Sequence, residues 1–213
     1  MGNVRTANIS VSLDGYSAGP EQSKDNPLGI GGERLHDWVV ALAAWREEHG
    51  KEGGEVNESS AVVERWQANV GATIMGRNMF GGGPGPWGDD PWEGWWGPEP
   101  PFGHPVFVLT HHEREPFTQG QTTYHFVTDG IEPALELARE AAGEGDVTIA
   151  GGARTVQQYI AARLLDEIDI SIVPIFLGGG TRLFDNLGDT TPQLELIEAV
   201  AAPGVTHARY KVG

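Results

Sequence analysis

The sequence has no cysteine in its 213 residues, so neither a disulfide framework nor a Cys-x-x-Cys metal motif is available to it. Positive charge is also scarce: 14 Lys and Arg, three of them lysine, stand against 30 Asp and Glu, for a net charge of −16. A nucleic acid or an anionic membrane surface would be approached through a repulsive field, which argues against both as partners; solubility alone accounts for the acidity. Long apolar runs are missing although 39% of the residues are hydrophobic, so no segment reads as a membrane span. The start, Met1-Gly2-Asn3-Val4-Arg5, lacks the basic and then apolar pattern of a leader and runs straight into a strand pattern, which makes the cytoplasm the expected location. No repeat or linker is evident, and the length suits a single domain, 1–213, with a real core.

What is present alternates between strand and helix patterns. A strand is expected over 4–13, a loop to Gly32, a helix over 33–48, an acidic glycine-rich break, and a second helix over 59–70 leading into a strand at 72–75. Strands follow at 105–110 and 122–127, then a helix at 131–142 with Asp129 and Glu132 at capping-box spacing. A strand at 146–150, a helix from Ala153, a strand at 168–176 and a closing pair at 194–200 and 205–212 complete the chain. This alternation predicts an α/β fold with a largely parallel central sheet and an antiparallel C-terminal end.

Two segments carry most of the chemical information. Residues 73–80 (Thr-Ile-Met-Gly-Arg-Asn-Met-Phe) and 147–155 (Val-Thr-Ile-Ala-Gly-Gly-Ala-Arg-Thr) are each a β-branched run that ends in glycine and opens into a helix or loop. A helix from Ala153 puts Val156, Tyr159, Ile160 and Leu164 on one stripe, and Gly151-Gly152 just before it leave its first amides unobstructed toward a phosphate. Taken singly, a tight turn explains the glycines and a solvated surface residue explains Arg77. Their joint occurrence points to an anionic ligand, a dinucleotide.

Two other features carry less. His111 and His112 are adjacent, so on an extended chain they point to opposite sides and do not grip one ion; no metal is expected. The glycine-rich stretch Leu177-Gly178-Gly179-Gly180-Thr181-Arg182 lacks the Gly-Lys-Ser/Thr ending of a P-loop and the third glycine of a dinucleotide fingerprint.

Met75-Gly76-Arg77-Asn78-Met79-Phe80, Val108-Leu109-Thr110-His111 and Ile149-Ala150-Gly151-Gly152-Ala153 resemble cofactor segments of dihydrofolate reductases. Ile9-Ser10-Val11-Ser12-Leu13-Asp14-Gly15 and Val173-Pro174-Ile175-Phe176-Leu177-Gly178-Gly179-Gly180-Thr181-Arg182-Leu183-Phe184 are closer to the reductase domain of riboflavin-biosynthesis deaminase-reductases. The chain therefore resembles a stand-alone relative of that C-terminal reductase domain, within the dihydrofolate reductase-like superfamily; the cysteine half of the zinc deaminase signature is absent. The resemblance implies a three-layer α/β/α fold, a small-molecule substrate, a homodimer and NADPH as cofactor.

By the same resemblance, Ser12, Gly76, Arg77, Asn78, Thr110, His111, Gly151, Gly152, Ala153, Arg154 and Thr155 would contact the cofactor. Arg77, Thr110 and His111 would face the adenosine 2′-phosphate, which favours NADPH over NADH, while Met79 replaces the threonine that usually follows the Gly-Arg-x motif. Asp14 would supply or relay a proton if an apolar site raised its pKa; the alternative is an ordinary Asp-Gly turn. Asp37 is the positional counterpart of the acid that holds substrate in dihydrofolate reductases, or else caps its helix. Tyr16, His36, Trp38, Leu177 and Gly178 complete the expected substrate side, although Trp38 also falls on a core stripe with Leu35, Val39 and Leu42.

The insertion 81–103, with Trp87, Trp92, Trp95 and Trp96 among glycines and prolines, is foreign to both parent enzymes. It reads as a flap, an aromatic platform for a ring-shaped ligand or a dimer contact, and less readily as a sugar-binding surface. The expected function is NADPH-dependent hydride transfer to a C=N or C=O group of a small heterocycle, similar to 5-amino-6-(5-phosphoribosylamino)uracil or dihydrofolate. Apart from Lys24 and Arg34, the first loop offers few basic groups for a ribose phosphate. The rival reading is a non-catalytic ligand- or partner-binding protein on the same scaffold.

Overall fold

The computed structural model describes residues 2–83, 85–89, 91–188 and 192–213. The first half of the chain forms β1 (Val4–Thr6), β2 (Ile9–Ser12), β3 (Tyr16–Ala18), a 3-10 turn (Gly32–His36), α1 (Asp37–Val40), α2 (Ala43–Glu48), α3 (Glu58–Gln67), β4 (Val70–Gly76), α4 (Arg77–Phe80) and β5 (Val106–Leu109). The second half forms β6 (Phe117–Gln119), β7 (Thr122–Val127), α5 (Ile131–Ala142), β8 (Asp146–Gly151), α6 (Ala153–Ala161), β9 (Glu167–Val173), β10 (Thr181–Arg182), β11 (Leu194–Ala202) and β12 (Val205–Val212).

The β-branched runs assemble into a ten-stranded sheet ordered β11-β12-β9-β1-β8-β4-β5-β7-β6, with β2 also paired to β9. Its centre is parallel, and β9, β12 and β11 make the expected antiparallel end. A second antiparallel pair, β6 with β7, closes the other edge. Alternation along the strands sends side chains to two layers. On one face Val4, Ala72, Ile74 and Ile149 meet Ala134, Leu135 and Ala138 of α5 and Val156, Tyr159 and Ile160 of α6. The opposite face carries Leu35, Trp38, Leu42 and Val63 at one end and Met75, Phe80, Val106, Val108 and Tyr124 at the other. Each fully buried Val, Leu, Ile, Met or Phe side chain among them contributes about 1.5–3 kcal/mol.

Several boundaries differ from the sequence reading. The single strand expected over 4–13 is two, broken at Asn8, whose φ of 45° takes the chain out of the extended region. The helix expected over 33–48 breaks at Leu42, where the backbone turns extended and pairs with the returning glycine-rich segment through Ala43 N to Glu55 O, 2.8 Å. α3 begins at Glu58 because Asn57 and Ser60 form a reciprocal capping box. The box expected from Asp129 and Glu132 does not form; Gly130 occupies the N-cap without a side-chain bond. No helix among the described residues is long and apolar enough to cross a membrane.

Candidate active site

The expected cofactor segments meet at the carboxyl ends of neighbouring strands β8, β4 and β5, where parallel α/β sheets characteristically bind ligands. Met75 pairs with Gly151, and Gly76 with Leu109, next to Thr110. Gly76 faces the start of α6 so closely that a Cβ there would lie 2.3 Å from Thr155 Oγ1. Gly152, by contrast, has nothing within 4 Å of where a Cβ would stand. It N-caps α6 with no side-chain bond, so the first-turn amides of Ala153 and Arg154 have no intrahelical partners.

The break at Asn8 shapes this corner. Through Thr6 the first strand pairs with β8, and Ala7 N still reaches Ile149 O at 3.1 Å. From Ile9 to Ser12 the chain pairs with β9 instead. Ala150 to Gly152 thus have no partner in the first strand, at the corner between the end of β2 and the start of α6.

Just past the end of β2 the structure corrects the role expected of Asp14. Ser12 Oγ donates to Asp14 Oδ1 at 2.6 Å, Leu177 N to Oδ1 at 3.2 Å and Gly178 N to Oδ2 at 2.8 Å. The Ser12 bond first, and then the two amides, hold the carboxyl down at about 2 against the raising effect of burial. A group so firmly ionised is no proton donor at neutral pH. Asp14 instead ties the β2–β3 turn to the loop after β9, and Arg182 Nη1 braces it through Asp14 O at 2.9 Å while stacking on Tyr16 at 4.4 Å. Ser12, 2% exposed, also accepts from Tyr16 N at 3.0 Å, so its hydroxyl serves the turn and not a cofactor.

Trp38 is a second correction. It is 6% exposed, donates through Nε1 to Ser10 Oγ at 3.2 Å and packs edge-on against Trp66 and His207, a core position. Leu177 packs on the same cluster, and Gly178 is exposed. His36 is half-buried with Nδ1 lacking a partner, and burial lowers its pKa against the pull of Asp37, which is exposed and caps nothing. Asn78, His111 and Arg154 are exposed; Thr110 is 7% exposed, its Oγ1 accepting from His112 N at 3.2 Å. Among the described residues no three His, Asp or Glu side chains gather in a metal-holding group.

The insertion, whose Pro84 and Asp90 lie outside the described residues, turns its indoles inward. Trp92 Nε1 donates to Phe80 O at 2.8 Å, Trp95 Nε1 to Met79 O at 2.9 Å and Trp87 Nε1 to His112 O at 3.0 Å. The first two satisfy carbonyls at the end of the one-turn α4. Gly81 must be glycine here, with φ at 92° and Trp95 ring atoms 2.7 Å from a would-be Cβ. Arg114, which the sequence reading missed, spreads over Phe117 at 4.4 Å and Trp87 at 4.8 Å and donates to Trp92 O. It sits in a loop between two glutamates, where no periodicity singles it out. Arg182 was visible only as part of a motif.

A family model described as the RibD C-terminal domain matches residues 5–207. The chain is 28% identical over 92 residues to the uncharacterized protein YwjB of Bacillus subtilis, a match over 41% of this chain that spans about half, 52%, of that relative. In structure it resembles a putative riboflavin biosynthesis protein from Shewanella sp. PV-4, with a TM-score of 0.61 at 24% identity, covering 100% of this chain and 99% of that one. RibD of Acinetobacter baumannii gives 0.59 at 16% identity, covering all of this chain and 58% of that one. Dihydrofolate reductase from Enterococcus faecalis, complexed with NADP(H), gives 0.51 at 14%, covering 100% and 97%. These likenesses establish the fold, and the family match settles the lineage: the chain belongs to the RibD C-terminal domain family, an oxidoreductase-type family with the dihydrofolate reductase-like fold.

Proposed function

We propose that the protein is a nicotinamide-dinucleotide-dependent reductase acting on a C=N or C=O group of a small heterocyclic substrate, with NADPH the cofactor its kinship implies. The observation that carries this reading is the start of α6 at Gly152, open where a side chain would stand and set against the glycine end of β4, where the first strand leaves β8. Free amides, a helix dipole and absent side chains suit a diphosphate. Arg154 adds to the case: it stands in the first turn of α6, where the dipole disfavours a cation and no acid offsets it, a placement that a bound anion would reward. When bound, the nicotinamide ring supplies the hydride. Because Asp14 is held ionised, the balancing proton is assigned to solvent.

On the substrate side the basic groups are few. Lys24 leans over the Trp92 ring at 5.2 Å, and Arg34, in the 3-10 turn that follows the first loop, is exposed. An uncharged heterocycle suits this pocket better than a ribose phosphate. The test is a titration with NADPH and with NADH, following quenching of the seven tryptophans. Saturable quenching is expected; the absence of binding by either would move the assignment to a non-catalytic binding protein on a reductase scaffold.

A homodimer belongs to the same proposal. β11 is an edge strand that carries Leu194, Leu196 and Ile197, exposed at 49%, 56% and 42%, an arrangement that favours a second copy over solvent. Sedimentation equilibrium should return the mass of two chains, and a single-chain mass at micromolar concentration would remove the dimer.

A further inference from the structure

Arg77 is the residue from which a preference for NADPH was expected, yet its guanidinium is taken up by the tryptophan-rich insertion. Its Nε donates to Gly81 O at 3.0 Å and its Nη2 to Gly82 O at 3.4 Å. The guanidinium carbon lies 3.0 Å from the centroid of the Trp87 ring, and Nη1 is buried without a partner. Burial, followed by the nearby charge of Arg114, lowers its pKa to about 10. A guanidinium that reads a phosphate presents two N–H groups in its plane to the oxygens. Here the guanidinium carbon lies over an indole, two nitrogens serve loop carbonyls and the third is buried without a partner.

The surroundings hold that arrangement in place. Trp87 is fixed by its bond to His112 O at 3.0 Å and by an edge contact with Phe126 at 4.9 Å. Thr110, also expected beside the 2′-phosphate, spends its hydroxyl on His112 N. Exposed His111 is what remains of the expected group. The start of α6, which serves the diphosphate common to both dinucleotides, stays open.

We propose that Trp87 withdraws Arg77 from the adenosine 2′-phosphate, so that this chain takes NADH and NADPH with similar affinity. The inference rests on the reductase reading above and replaces the sequence expectation of NADPH selectivity. It is tested by isothermal titration of both dinucleotides against the wild type, Arg77→Gln, Trp87→Ala and the double variant. In the wild type the two dissociation constants should agree within about threefold, and Arg77→Gln should leave their ratio unchanged. Trp87→Ala, by freeing the guanidinium, should shift the ratio toward NADPH by about tenfold or more, and adding Arg77→Gln should cancel that gain. A wild-type preference for NADPH of about tenfold or more that Arg77→Gln abolishes overturns the inference and leaves the reductase reading intact. Binding of neither dinucleotide overturns both. Should Trp87→Ala fail to fold, the wild type and Arg77→Gln decide the matter between them.

Discussion

Arg154→Glu should weaken binding of either dinucleotide by about 10- to 100-fold and leave the protein as stable as before or slightly more so. The two effects separate because they arise from different charges. Arg154 is exposed in the first turn of α6, and that turn holds no acid. A carboxylate near a helix N-terminus is worth about 0.3–1 kcal/mol, so for the folded chain the substitution is neutral or favourable. For a bound diphosphate it removes a charge-assisted hydrogen bond of about 1.5–3 kcal/mol and adds repulsion. Isothermal titration and a thermal melt on the same preparation check both halves. Unchanged binding would remove the start of α6 from the cofactor site, and loss of both binding and stability would make Arg154 a structural residue.

The second large effect concerns stability. Phe80→Ala should cost about 3–5 kcal/mol, the range for truncating a buried aromatic side chain. Phe80 is 0% exposed, with Tyr124, Phe126 and Trp87 at ring separations of 5.3, 5.5 and 5.8 Å, each edge-on. Its carbonyl also receives Trp92 Nε1. The cavity would therefore lie under the insertion and loosen the ring packing that orients Trp87. Urea unfolding followed by tryptophan emission reads the loss, and near-ultraviolet circular dichroism should weaken with it. A loss below about 1 kcal/mol would mean that the neighbouring rings collapse into the space and that the cluster does not anchor the insertion.

How much of this was legible in the sequence depends on how far apart the deciding groups lie. The α6 stripe, the glycine-ended strands and the antiparallel close are local patterns of the right period, and all three were readable. The break at Asn8 was not, because the apolar pattern continues across it and a single positive φ leaves no periodic trace. The fate of Asp14 turned on amides 163 and 164 residues away, which no motif at Ser12-Leu13-Asp14 encodes. Trp38 was legible and misassigned: its place on a stripe with Leu35 and Leu42 already indicated the core. Arg77 was recognised as a residue type, but its direction is set by Trp87, within a glycine- and proline-rich stretch that has no period to read.

The placement of β1 has a consequence for how the chain folds. The first strand in the sequence lies in the middle of the sheet, between β8 and β9, with Val4 opposite Val147 and its amide bonded to Asp166 at 2.8 Å. Both neighbours come from the last third of the chain. Contacts so distant in sequence slow folding, since the loop they close must be ordered before they reward it. At about 5–20 residues per second, β1 and β2 leave the ribosome roughly ten to thirty seconds before their partners. During that interval their apolar faces and unpaired edges need shelter, so the yield of native protein should depend on synthesis rate and on chaperones that hold extended segments more than the final stability would suggest.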